Sequence, residues 1–267
     1  MQAMPLTYEE LNNLAVWGDM RTITLDDMRG VKLMNRIDTK YVLSESEVLQ
    51  LLARAAQMHY RVQIVGAVRA CRYDTLYYDT ADRQMYVVHH NQQLVRQKIR
   101  TRHYVESGIS FFEVKNKSNR GRTRKKRVGI DVSELQNFTT NEAAVALFSQ
   151  QSHYDIEALS PALSTRFVRV TLVNQALSER ITIDLDLHYT NVREGVAAAI
   201  ERMAIVELKQ DGRVESIIKS VLRDMRIPPL KVSKYCLGTA LTVADVKTNR
   251  FKVKIREIHK RLGAVQY

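Results

Sequence analysis

Four segments of this chain alternate charged residues with others at a spacing of two, and that spacing constrains its fold more than any other feature. Lys98, Arg100 and Arg102 alternate in VRQKIRTRHY, and Glu113, Lys115 and Lys117 in FFEVKNK. Arg36, Asp38 and Lys40 do so in NRIDTKY, and Glu207 and Lys209 in IVELKQ. Successive side chains of a strand point to opposite faces, so each charged set shares one face of its strand. The other faces carry Ile99, Phe112, Val114, Val206 and Leu208, which require a core. Several such strands in one sheet gather many cations and a few carboxylates on a common surface, which suits a polyanion and a metal ion.

One charged stripe alone is what a half-buried antiparallel strand shows to water. Recurrence and the bias towards cations argue for more, because like charges facing one another across a sheet repel unless an anion compensates them. Each carboxylate shares its face with cations: Glu207 with Lys209, Glu113 with Lys115, Asp38 with Arg36 and Lys40. Internal ion pairing is one reading, and oxygen ligation of a hard divalent cation together with substrate phosphates is the other. The two are compatible, since ion pairs can open when phosphates arrive.

The charge balance points the same way. Lys and Arg number 41 against 29 Asp and Glu, a formal +12 over 267 residues. Twelve of those cations lie between Arg96 and Arg127, against only Glu106 and Glu113. An acidic partner is implied: nucleic acid, anionic lipid or a phosphate-rich small molecule. GRTRKKRV has the look of a nucleic-acid patch, but stacking aromatics are not interleaved with it, and no nucleic-acid partner is expected. Gly121 instead leads into a strand with Arg122, Arg124 and Lys126 on one face and Lys125 and Arg127 on the other; the sequence leaves open which set faces inward. His89 and His90 lack a third ligand nearby and read as a polar pair beside a turn. With no GxxxxGK[ST] loop and no kinase glycine loop, any phosphates must be gripped by side chains.

Cys71 and Cys236, the two cysteines, offer neither a zinc site nor a disulfide framework. The start of the chain has no signal-peptide pattern, and no apolar run approaches 18 residues, so a cytoplasmic protein without a membrane span is expected. Helices are predicted in LTYEELNNLAVWG, ended by Gly18, and in SESEVLQLLARAAQM, where Ser44 and Glu47 make a capping box. NEAAVALFSQ, SHYDIEAL, VESIIKSVLRDM and KYCLGTALTVA are also read as helical, with a basic helix-forming tail RFKVKIREIHKR. Strands are predicted at 33–42, through much of 68–130, in STRFVRVTLV and RITIDLDLHY, and in MAIVELKQ. About eight antiparallel strands flanked by helices make an α+β protein whose sheet is expected to curl or close.

The order NRIDTKYVL, RYDTLYYDT, HHNQQLVRQKIRTRHY, FFEVKNKSNRGRTRKKRV, RITIDLDL, VELKQ and KVSKYCLG resembles the VTC domain. This is the polyphosphate polymerase domain of the vacuolar transporter chaperone complex, within the CYTH-like triphosphate tunnel metalloenzymes. The resemblance implies an eight-stranded antiparallel barrel with a basic, metal-binding lumen. It also implies transfer of the ATP γ-phosphate to polyphosphate with Mn2+ or Mg2+. By motif, Lys40, Arg100, Arg102, Lys115, Lys125, Arg169 and Lys234 would clasp the triphosphate, with Ser233, Arg36, Lys98 and Lys209 binding substrate. Glu207 matches the metal-binding glutamate, Glu113 is a second metal candidate, and Asp38 and Asp184 are weaker ones. Arg36 and Asp38 stand where the superfamily's first strand carries paired glutamates. FVR replaces Tyr-Asn-Arg, which makes Arg166 the alternative to Arg169. The expected organisation is a helical extension over 1–30, the tunnel domain over 31–242 and a basic tail over 243–267. The expected partners are ATP and polyphosphate; either the chain works alone in the cytosol or a membrane partner is encoded separately. The basic tail reads first as a solvated terminal helix and second as a dock for such a partner or for anionic lipid. A metal-dependent triphosphatase and a non-catalytic polyanion-binding module are the alternative readings.

Overall fold

The computed structural model describes residues 5–30, 36–212 and 214–263, with the backbone alone at 29, 30 and 36. In chain order the elements are α1 (Tyr8–Asn12), β1 (Thr22–Ile23), β2 (Arg36–Ser44), α2 (Glu45–Gln57), β3 (Arg61–Gln63) and β4 (Ala70–Thr80). There follow α3 (Gln84–His90), β5 (Arg96–Tyr104), β6 (Ile109–Lys117), β7 (Thr123–Ile130), α4 (Glu142–Gln151) and β8 (Leu159–Val173). The chain closes with β9 (Glu179–Asn191), β10 (Ala197–Ala199), β11 (Met203–Asp211), α5 (Ile217–Asp224), α6 (Lys234–Thr242) and α7 (Asn249–Arg261).

All eleven strands join one sheet, whose main path runs β2-β11-β9-β8-β4-β5-β6-β7 with antiparallel neighbours throughout. The short β3 and β10 pair with β8 and β9, and β1 pairs with β3 in parallel. The expected closed, eight-stranded barrel is therefore corrected: the path has eight strands, three more join it, and β2 and β7 remain edges among the described residues. Both edges have other protection. The Lys40 carbonyl of β2 accepts the Leu230 amide at 2.8 Å, while β7 exposes Thr123 to Arg127 with cations on both faces.

The sheet nonetheless curls strongly. Six strand steps separate β2 from β6, about 29 Å if the sheet were flat at about 4.8 Å per step. Yet Lys115 of β6 feels the charges of Lys40 and Glu207, and Lys98 of β5 feels Lys40. The charged faces of opposite ends thus look at each other across one groove.

Outside the curl, Tyr41, Leu43, Val170, Leu172, Ile181, Ile183, Val206 and Leu208 pack against Val48, Leu51 and Leu52 of α2 and Val221 and Leu222 of α5. Ser44 caps α2 with Glu47 reciprocating, as the sequence predicts, and Ser216 caps α5. Further round, Ile99, Phe112 and Val114 pack with Phe138 and with Phe148 of α4. Inside, α6 lies against β8 and β9, and Gly238 permits its close approach. A Cβ there would stand 2.5 Å from Tyr189 Cδ1 and 2.7 Å from Leu163 Cδ2.

Three local expectations are corrected. SHYDIEAL forms no helix: the Tyr154 and Glu157 amides donate to Ser152 Oγ and Asp155 Oδ1, local bonds that compete with a helical turn, and Leu159 already begins β8. The first helix ends at Asn12, and a 3-10 segment, Ala15–Asp19, continues through Gly18. His89 and His90 close a helix, α3, that the pattern did not reveal. The predicted strand start at 33–35 lies outside the described residues.

Candidate active site

Register determines which side chains meet. Across β5, β6 and β7 the rows are Arg100, Glu113 and Arg127, then Lys98, Lys115 and Lys125. Lys125 therefore shares the inner face with Lys98 and Lys115, which settles the face that the sequence left open; Arg122, Arg124 and Lys126 are exposed on the other side. A bulge between Arg166 and Val168 puts Arg169 opposite Asp184 and leaves Arg166 exposed, paired with His188. Arg169, not its alternative, belongs to the inner face.

Three carboxylates organise this face, and each holds two cations. Glu207 bridges Lys40 at 2.7 Å and Lys209 at 2.9 Å. Glu113, 1% exposed, accepts from Arg100 Nε at 2.6 Å and Lys125 Nζ at 2.8 Å. Asp184, 2% exposed, takes a two-pronged bond from Arg169 at 2.5 and 2.8 Å and a further one from Lys234. Burial alone would raise all three carboxyls. Their paired cations outweigh it and hold each well below the ordinary carboxylate range.

Three more cations make no direct ion pair with a carboxylate among the described residues. Lys98 Nζ donates to Ser233 Oγ at 2.7 Å, and Arg102 Nε to Thr75 Oγ1 at 2.9 Å. Lys115 has no hydrogen bond or ion pair among the described residues and stands in register between Lys98 and Lys125. These side chains alone set nine cations against three carboxylates, with the excess concentrated where β5, β6 and α6 meet; Arg127 shares the row of Glu113, and Asp38 and Arg180 that of Lys209. Desolvation, with Lys98 and Arg100 adding to it, lowers the Lys115 ammonium to about 8. Desolvation also brings Lys209 and Lys234 to about 8, against the pull of Glu207 and Asp184.

Helix α6 aims its positive end at the same place, with Ser233 as its N-cap. The arrangement can grip several phosphates at once: arginine forks for paired oxygens, lysines as point charges. Among the described residues no three His, Cys, Asp or Glu gather as a metal cage. Single carboxylates still fit a divalent ion that arrives with phosphates, because magnesium is typically held by one or two carboxylates beside phosphate oxygens and water.

The inner face brings together Lys40, Lys98, Arg100, Arg102, Glu113, Lys115, Lys125, Arg169, Glu207, Lys209, Ser233 and Lys234. The Arg36 side chain lies outside the described residues, and Asp38 is exposed opposite Lys209. His90 is buried against Tyr86 and Phe251, away from these clusters. Asp184, a weak candidate from the sequence, is central.

Sequence reasoning missed Tyr77, whose hydroxyl accepts from Arg100 Nη1 at 3.3 Å. Burial raises that phenol, but Arg100, Arg102, Lys98 and Lys234 outweigh it and bring it down to about 8. It also missed Thr75; Arg127, read from the sequence as sharing a face with Lys125, stacks 4.1 Å over Phe111. The signal for Tyr77 and Thr75 was present as the alternation of Tyr73, Thr75 and Tyr77 in RYDTLYYDT.

No curated protein matches this chain. Among solved structures it is similar to an adenylyl cyclase candidate from Hippeastrum described as having a dominant triphosphatase activity. The two are 16% identical over 79% of this chain and 98% of that one, with a TM-score of 0.49. It is also similar to an adenylate cyclase candidate from Bacillus halodurans, 14% identical over 82% of this chain and 99% of that one, again at 0.49. The VTC domain family model matches residues 35–243, most of the chain. The chain belongs to the VTC domain family.

Proposed function

We propose that this protein is an ATP-dependent polyphosphate polymerase, transferring the ATP γ-phosphate to a growing polyphosphate chain held along the inner face. The observation that carries the reading is the clustering on the inner face of Lys40, Lys98, Arg100, Arg102, Lys115, Lys125, Arg169, Lys209 and Lys234 around only Glu113, Asp184 and Glu207 as ion-pairing carboxylates among the described residues, in a chain of the VTC domain family. A protein that only had to fold would not keep Lys98, Lys115 and Lys125 side by side.

Phosphoryl transfer asks mainly for positioning and for neutralisation of charge spread over phosphate oxygens. Arg100, Arg169 and Lys234, each already fixed on a carboxylate, would orient the donor triphosphate. Lys98, Arg102 and Lys115, which make no direct ion pair among the described residues, would hold the acceptor chain end in line with it. An ionised terminal phosphate needs no general base. Glu207 is the residue that would hold a Mn2+ or Mg2+ ion, which supplies neutralisation of the phosphate oxygens. Glu113, wholly buried between Arg100 and Lys125, would serve as their counter-charge. No described helix is long and apolar enough to cross a membrane.

The test is incubation of the purified protein with ATP and manganese, followed by gel analysis, with Glu207→Ala and Lys234→Ala alongside. A ladder of polymer in the native protein, lost in both variants, is expected. Release of orthophosphate without polymer would replace the reading with a triphosphatase. Binding of polyphosphate without ATP turnover would replace it with a polyanion-binding module.

A further inference from the structure

The first turn of α6 sends three consecutive side chains to three different strands. Ser233 accepts from Lys98 of β5, Lys234 bonds Asp184 of β9, and the Tyr235 hydroxyl donates to Asp79 at the end of β4. The first two contacts belong to the cation-lined face. The third lies behind it. Asp79 is 0% exposed, and its Oδ1 accepts the Thr80 and Met85 amides at 2.8 and 2.9 Å. Its Oδ2 accepts the Tyr86 amide at 3.0 Å as well as the Tyr235 hydroxyl. One carboxylate thus ties β4, the start of α3 and α6 together. Arg193 fixes the same corner, donating to the carbonyls of Asp79 at 2.7 Å and Thr80 at 3.0 Å.

Beyond this first turn the α6 seat is largely apolar, apart from the Asn191 Nδ2 amide of β9, which donates to the Thr242 carbonyl at the far end of the helix at 3.3 Å. The Tyr235 ring lies 5.0 Å from that of Tyr77, and Gly238 sits against Tyr189 and Leu163. Ring contacts set depth, but they resist sliding and rotation weakly. A directional bond to an immobile carboxylate resists both.

We propose that Tyr235, through its hydroxyl on Asp79, is a positioning residue that fixes where Lys234 stands on the phosphate-binding face, without touching the ligand itself. The inference rests on the reading that this face binds polyphosphate. Removing the hydroxyl leaves Asp79 with its three backbone donors and leaves the ring packing intact, so the fold persists while Lys234 loses its fixed origin.

A double-mutant cycle separates this from a purely structural role. Calorimetric affinity for polyphosphate is measured in the native protein, Tyr235→Phe, Lys234→Ala and the double variant, with melting temperatures recorded for each. Tyr235→Phe is expected to weaken binding about tenfold in the native background and less than about twofold once Lys234 is gone. Equal losses in both backgrounds, or no loss, overturn the proposal. A second readout needs no ligand: acetylation of lysines followed by mass spectrometry. Lys234 is expected to react several-fold faster in Tyr235→Phe while exposed Lys219 is unchanged, and an unchanged Lys234 rate also overturns the proposal. If the native protein does not bind polyphosphate, the functional reading fails, and the acetylation rates alone still decide the role of Tyr235.

Discussion

Glu113, Val114 and Lys115 are consecutive residues of β6, yet the two faces they serve obey opposite rules. Val114 is 1% exposed and packs outward in the cluster that holds Phe112 and Phe138, where shape and burial decide stability. Glu113 and Lys115 point inward, where the packing of charge is unfavourable unless something offsets it. Three carboxylates offset part of it by holding two cations each. Lys98, Arg102 and Lys115 are left over. The outer face holds the fold together, and the inner face carries positive charge that its carboxylates only partly offset.

Phe112→Ala and Glu113→Ala should each cost about 3–5 kcal/mol in chemical denaturation, one through a cavity and the other through uncompensated buried cations. Only the second cost should depend on pH. The Glu113 carboxyl is held below its ordinary value by Arg100, Arg102 and Lys125, against the effect of burial. Its contribution is therefore complete above the ordinary carboxylate range and disappears as pH falls towards the folded value. A Glu113→Ala cost that stays constant down to acid pH would contradict the pairing. Gly238→Ala, where α6 meets the sheet, should cost about 1–3 kcal/mol of stability through overpacking.

Polyphosphate affinity should fall about tenfold as pH rises through about 8 and beyond, because Lys115, Lys209 and Lys234 lose their protons there. An anion favours the charged lysines and raises these values, so binding near pH 8 should take up protons; calorimetry in buffers of different ionisation enthalpy reads this directly. Affinity that is flat from neutral to mildly alkaline pH would exclude these lysines as ligands. The smallest effect has the more telling sign. Lys115→Ala should stabilise the free protein by about 0.2–1 kcal/mol, since it removes a like charge between Lys98 and Lys125. A loss of stability would mean that Lys115 has a structural partner.

Much of this was legible because period-two alternation survives in the sequence. Lys98, Arg100 and Arg102 declare their shared face, and Ser44 with Glu47 declares the start of α2. What depends on register does not show. The Lys234–Asp184 bond joins residues 50 apart, and nothing local pairs them. Nor does VVHHNQQ reveal a helix at 84–90. Its first amides are satisfied by Thr80 Oγ1 and the Asp79 carboxylate, outside the usual capping position, and Arg83 precedes it in a left-handed conformation. The open edges of β2 and β7 were hidden for a similar reason, since the Leu230 amide that covers Lys40 lies far along the chain.

The most direct test sets neighbouring cations of the two faces against each other. Calorimetric titration with polyphosphate of defined length would compare the inward pair Lys98→Ala/Lys115→Ala with the outward pair Arg124→Ala/Lys126→Ala. The inward pair should lose about 100-fold or more in affinity, from two charge-assisted contacts of about 1.5–3 kcal/mol each, and the outward pair less than about threefold. Equal losses from the two pairs would mean that general charge, not the inner face, holds the polyanion.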